Sequence, residues 1–201
     1  MDSAESAVGV LNDLLNYDKI ELGELSYEAS IMPIWNVIDH TVMEFQASAM
    51  SRGIDYRFRC YFPGYDSINQ NAHASIRDLP TDLHELRTVG DKIRCVQVIR
   101  NLISNAIKFT PSGGHIEISV SIVQSGDAVP RRERFDDLEL VNCKETLYFE
   151  RRGDVRITVR DSGVGLTPQQ VGRLFRHGVQ FNVNDLQAGQ GSGLGLYIAK
   201  G

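Results

Sequence analysis

Cysteine is scarce in this chain: Cys60, Cys95 and Cys143 are three in 201 residues and stand far apart. So odd and scattered a set gives neither a disulfide framework nor a CxxC metal site. A reducing compartment is the default, with all three thiols read as buried structural residues. Long apolar runs are missing too. No stretch reaches the about 18 consecutive apolar residues of a membrane span, so no segment here is expected to cross a bilayer. The N-terminal MDSAESAVGVLNDLL is acidic and has no basic segment leading into an apolar block, which excludes a secretory signal. Positive charge is in deficit: 21 Lys and Arg against 26 Asp and Glu leave a net charge of −5, no electrostatic case for a nucleic-acid partner. Internal repeats are absent. What is present is a 42% hydrophobic share, enough for one domain with a packed core.

Hydrophobic spacing organises the chain. Val8, Leu11, Leu15 and Leu22 fall on one helix face over residues 4–22, and Gly23 stops it. Alone, such a stripe reads as half of a hairpin or a dimer seam. From Glu24 the texture changes. ELSYEASI predicts a short strand, and Pro33–Ala49 a helix with Ile34, Val37, Val42 and Phe45 inward. Ile54–Phe62 alternates as a strand, and residues 63–80 read as a polar loop. Asp91–Phe109 is the best helix, and HIEISVSIV from His115 a period-2 strand. Leu147–Val159 supplies one or two strands, and the charged stretch between reads as an insertion or long hairpin loop. The expected class is α+β: a two-layer sandwich with a mixed sheet and helices on one face.

In DKIRCVQVIRNLISNAIKFT two helix faces emerge. Val96, Ile99, Ile103 and Ala106 form an apolar one, and Gln97, Asn101, Asn105 and Lys108 a polar one. A polar stripe reads first as a solvated face. Yet asparagine forms helix poorly, whereas its amide oxygen is a neutral, hard ligand able to join phosphate and water around Mg²⁺. Lys108, a turn on, suits phosphate charge.

A strand then ends at Asp161 in DSGVGL, where Gly163 and Gly165 permit a turn that side chains would block. Taken alone, that pattern marks an ordinary strand exit more often than a pocket in which Asp161 accepts from an adenine amine. The closing GQGSGLGLYIAKG is neither a Walker loop nor a dinucleotide fingerprint, because Leu194 and Leu196 stand where the latter needs glycine. It remains a glycine-rich loop entering a helix whose free amides suit an anion. Finally, Thr167-Pro168-Gln169-Gln170 is a capping box with proline at the first helical position, so a short helix starts there.

The order of these motifs carries more than any one of them. Together they resemble the ATP-binding fold shared by sensor histidine kinases, type II topoisomerases, heat-shock chaperones and mismatch-repair ATPases, over residues 25–201. The histidine kinases are nearest: QVIRNLISNAIKFTPSGGHIEI is similar to their N box, DSGVGL to their first glycine box and GQGSGLGLYIAK to their second. LLNYDKIELGEL resembles the second helix of their dimerisation hairpin, which makes residues 1–24 the end of that hairpin. The resemblance implies further chain on both sides, a first hairpin helix before residue 1 and closing strands after Gly201.

It also implies roles. Asn105 would ligate Mg²⁺, with Asn101 beside the phosphates, Lys108 on phosphate and Phe109 near adenine or ribose. Asp161 would bind the adenine amine, Gly163 and Gly165 would line the base pocket, and Gly191, Ser192, Gly193, Leu194 and Gly195 would wrap the phosphates. Residues 166–190 would form a mobile lid anchored by Leu174 and Phe175, with Gln180 on its phosphate side. Where the family often has a second lid phenylalanine, this chain has Gly178. ATP and Mg²⁺ are the implied cofactors. A histidine-bearing dimerisation domain and a response-regulator receiver domain are the implied partners, in a homodimeric parent. This domain would be cytoplasmic even in a membrane-anchored parent.

Relatives that hydrolyse ATP place a glutamate base where this chain has Asn101, and an amide is no base for water. Transfer to a histidine is therefore expected over hydrolysis, with a catalytically silent ATP-sensing module of the same fold as the alternative. His84-Glu85-Leu86-Arg87-Thr88 resembles the start of a phosphoacceptor box. However, Val89 replaces the expected proline, and the segment runs straight into the 91–109 helix, where the family has a strand. His84 is therefore rejected as acceptor, and no histidine precedes His40.

Overall fold

A computed structural model describes residues 11, 15, 18–22, 24, 26–62, 79, 81–123 and 153–174, and every structural statement below refers to these. In chain order they form β1 (Ser30–Met32), α1 (Ile34–Ser51), β2 (Asp55–Tyr61), α2 (Thr81–His84), β3 (Thr88–Gly90), α3 (Lys92–Phe109), β4 (His115–Val123), β5 (Asp154–Asp161) and α4 (Pro168–Val171). Residues 11, 15 and 18–21 are helical, as the N-terminal stripe predicts, and Leu11, Leu15 and Leu22 are exposed.

The main sheet runs β2-β4-β5, with β2 parallel to β4 and β4 antiparallel to β5. Its mixed character follows from its connections. The polypeptide between β2 and β4 includes α3 and returns to the same end of the sheet, as parallel pairing requires, whereas β5 runs antiparallel beside β4. Registers line up apolar rows across the three strands: Phe58, Ile118 and Val159 form one, and Cys60, Val120 and Ile157 the next. In β2 and β4 those residues are buried, so slipping either strand by one residue would turn its whole apolar set to the polar face. That opposite face carries Arg57, Arg59 and Glu117, with the Arg59–Glu117 ion pair at 2.8 Å.

Helices α1 and α3 pack side by side, α1 also against β2 and α3 against β5, and their apolar stripes share one core with the sheet. The inward residues expected for α1 are all buried. Trp35 is sealed in, its ring edge-on to Phe62 at 5.2 Å and its indole N–H donated to the Leu83 carbonyl, which ties α2 to α1. Burial pushes the Cys60 thiol up to about 12 and raises Cys95 as well, so both are protonated, inert residues at neutral pH. Cys143 lies outside the described residues.

Three differences from the sequence expectations stand out. The strand predicted over ELSYEASI is confined to Ser30–Met32, because its partner β3 offers only Thr88–Gly90 to pair with and Pro33 follows directly. Helix α1 continues two residues past Ala49, to Ser51, where Gly53 at φ 69° turns the chain. Strand β5 spans Asp154–Asp161, so it reaches beyond Val159, while the predicted start at Leu147 and the 63–80 loop, apart from Leu79, fall outside the described residues.

The small sheet of β1 and β3 does positional work. Asp91, directly after β3, caps α3 by accepting from the Arg94 N–H at 3.1 Å through Oδ1, and its Oδ2 accepts from the Glu28 N–H at 3.1 Å. One carboxylate thus holds the start of α3 to the segment that leads into β1. Asp91→Ala should lower stability by about 1–2 kcal/mol. Asp91→Ser, which keeps the cap but loses the second acceptor, should cost about half as much, and urea midpoints equal to wild type for both would contradict this double role.

Candidate nucleotide site

The site grows from the C-terminal half of α3. With its core face inserted through Ile99, Ile103, Ala106 and Ile107, geometry fixes where the other face lies. Gln97, Asn101, Asn105 and Lys108 lie along it, each half-buried and none fully solvated. The stripe is longer than the sequence reading had it. Arg94, one further turn toward the N-terminus, donates from Nη1 to Gln97 Oε1 at 3.0 Å and joins the row. Its spacing of three before Gln97 was the available signal. At the other end Lys108 Nζ stands 5.4 Å from the Phe109 ring centroid, and its charge suits the helix C-terminus.

The second component is the turn leaving β5. Asp161 ends the strand, and its Oδ1 accepts from the Gly163 N–H at 2.8 Å, a local bond that orients the carboxylate. Gly163 lies hard against the end of α3: a Cβ there would sit 2.6 Å from the Phe109 carbonyl oxygen and 2.7 Å from Asp161 Oδ1. That near-contact joins two motifs more than fifty residues apart in sequence. Gly165 has a different need, a φ of 66° with open space around it. Past it, Thr167 closes the capping box predicted from sequence: its hydroxyl accepts from the Gln170 N–H, and Gln170 Oε1 accepts from the Thr167 N–H at 2.7 Å.

The turn that holds Asp161, Gly163 and Gly165 therefore meets α3 at Phe109, and Asn101, Asn105 and Lys108 lie on the polar face of that helix before the contact. Gln180, Gly191, Ser192, Gly193, Leu194, Gly195 and the lid beyond Leu174 lie outside the described residues. His84 ends the one-turn helix α2, and the β-strand expected after it is β3.

The donors available suit Mg²⁺. Among the described residues no group of three or more His, Cys, Asp or Glu could cage a metal ion. A cation here would take the Asn105 amide oxygen together with nucleotide oxygens and water, the partly hydrated set that Mg²⁺ prefers.

Comparison with known proteins gives the family. The chain belongs to the histidine kinase-, DNA gyrase B-, and HSP90-like ATPase family, whose profile matches residues 90–201. The similar curated proteins include histidine kinases. The sensor histidine kinase GacS of Pseudomonas protegens is 29% identical over 198 residues, and the signal transduction histidine-protein kinase BarA of Escherichia coli is 26% identical over the same length. Each alignment covers 98% of this chain but 17% of the relative, so the chain spans a small part of those proteins. Full-length ShkA, crystallised with AMPPNP, shares the fold, with a TM-score of 0.61 at 21% identity over 96% of this chain and 30% of that one. The α+β sandwich is thus the histidine kinase-like ATPase fold.

Proposed function

We propose that the chain binds Mg-ATP and passes the γ-phosphoryl group to a histidine on a dimerisation domain, within a two-component phosphorelay. The observation that carries this is the seating of Gly163 against the Phe109 carbonyl, at the end of the helix that bears the amide and lysine stripe.

In this reading Asp161 Oδ2 accepts from the exocyclic amine of adenine, and Phe109 and the Gly163–Gly165 turn contact the flat base and ribose. Asn105 would supply an amide oxygen to the cation, with Asn101 beside the phosphates and Lys108 neutralising their charge. The glycine-rich segment around Gly191, Ser192, Gly193, Leu194 and Gly195 would offer backbone amides to the phosphate chain, and Gln180 is assigned to the same phosphates by the resemblance. The bound Mg²⁺ would neutralise charge on the phosphate oxygens. A histidine ring nitrogen attacks the γ-phosphorus, the bond to the β–γ bridging oxygen breaks, and ADP leaves. The protein's share of such a step is positioning and charge neutralisation. Asn101, standing where hydrolysing relatives have glutamate, offers no base to activate water, which favours transfer over hydrolysis.

The GacS and BarA alignments support the phosphorelay setting. In it, residues 1–24 are the end of a dimerisation hairpin in a homodimeric parent, and a receiver domain takes the phosphoryl group onward. The catalytic domain works in the cytoplasm. Incubating the chain with [γ-³²P]ATP and a separately made, histidine-bearing dimerisation hairpin tests transfer. Acid-labile, alkali-stable label on the hairpin is expected. Measured ATP binding with no label would make the chain a silent ATP-sensing module instead.

A further inference from the structure

Ser162 lies between the two turn residues just described, and it is bonded as a clamp. Its N–H donates to the His115 carbonyl at 3.0 Å, and its Oγ accepts from the His115 N–H at 2.8 Å. Both polar groups of His115's backbone, at the first position of β4, are thereby held by one residue 47 positions away. The fit around it is tight. A Cβ on Gly114 would lie 2.8 Å from Ser162 Oγ, 2.5 Å from Thr110 Cγ2 and 3.0 Å from the Pro111 carbonyl oxygen. The serine hydroxyl therefore fills the space that the absent Gly114 side chain leaves, against the exit of α3.

We infer that Ser162 is a positioning residue for base recognition: its clamp on His115 fixes the turn so that Asp161 holds the angle needed to read an exocyclic amine. The chain of restraint is explicit. Asp161 is paired with Ile116 in the ladder, Ser162 is bonded twice to His115, and Gly163 is seated on the Phe109 carbonyl and donates back to Asp161. Of these restraints, Ser162 Oγ supplies the side-chain bond to the neighbouring strand. Removing it leaves the backbone bonds in place, so the turn should stay folded while the carboxylate gains freedom.

This inference rests on the adenine reading of Asp161, and the test separates the two. Affinities of the chain for Mg-ATP and for the Mg complex of purine riboside triphosphate, which lacks the amine, are measured by calorimetry in wild type, Ser162→Ala, Ser162→Thr and Asp161→Asn. Ser162→Ala should reduce the preference for ATP over the analogue about threefold to tenfold, from a bond of ordinary net worth. Ser162→Thr, which keeps the hydroxyl, should restore the preference, and the melting temperature should stay near wild type. If Asp161→Asn removes the preference while Ser162→Ala leaves it unchanged, or weakens both ligands equally with a lowered melting temperature, Ser162 is a structural contact and the inference is overturned. If Asp161→Asn also leaves the preference unchanged, the adenine reading itself fails and takes the inference with it.

Discussion

Replacing Asn105 with alanine is expected to lower Mg-ATP affinity about a hundredfold or more while leaving the fold intact. The two halves of that expectation come from different physics. Asn105 is half-buried on the polar stripe of α3, away from the core contacts of Ile99, Ile103, Ala106 and Ile107. Alanine is the better helix former by about 0.5 kcal/mol, so thermal stability should hold or rise slightly. Binding should collapse because a methyl group cannot take the place of an amide oxygen on the cation. Circular dichroism with calorimetry in the same buffer makes the comparison. Unchanged affinity with a normal spectrum would remove Asn105 from the metal's ligands.

Gly163→Ala should be the most disruptive single change in the turn, for steric and not conformational reasons. Gly163 is not among the glycines at positive φ, so alanine suits its backbone. Space decides the outcome. The added carbon would meet the Phe109 carbonyl oxygen at 2.6 Å, and that oxygen belongs to the helix end, where no flexible side chain can swing aside. Either the turn or the end of α3 must move, at a cost of about 1–3 kcal/mol, and the motion separates Asp161 from the α3 stripe. ATP affinity should fall at least about tenfold. Gly165→Ala is the contrasting control: nothing lies within 4 Å of its added carbon, but its φ of 66° is left-handed, so its cost is about 1 kcal/mol of backbone strain. Equal stability of Gly163→Ala and wild type would show that the near-contact is not a real restraint.

Much of the fold was legible because it is written in local periodicity. The α3 helix was readable from its cap at Asp91 to Phe109, since an apolar three–four spacing runs its length. Strands β2 and β4 showed in their alternation, and Thr167-Pro168-Gln169-Gln170 announced its own capping box. What the sequence withheld is non-local. The true extent of β1 depends on how much strand β3 offers it, almost sixty residues on. The bonds of Ser162 to His115 and the seat of Gly163 on Phe109 depend on the β4–β5 register, which no short window contains. Asn101, Asn105, Lys108 and Asp161 stood out as candidates through the order of their motifs, not through any one of them. That α3 and the β5 exit meet required the sheet.

The central claim is that the α3 stripe and the Asp161 turn form one adenine nucleotide site that needs a divalent cation. Calorimetric titration of the chain with ATP, with Mg²⁺ and then with EDTA in its place, tests it most directly. One site per chain is expected, saturable with Mg²⁺, weakened at least about tenfold by EDTA, and not competed by GTP. Binding of equal strength with and without the cation, or equal competition by GTP, would contradict it.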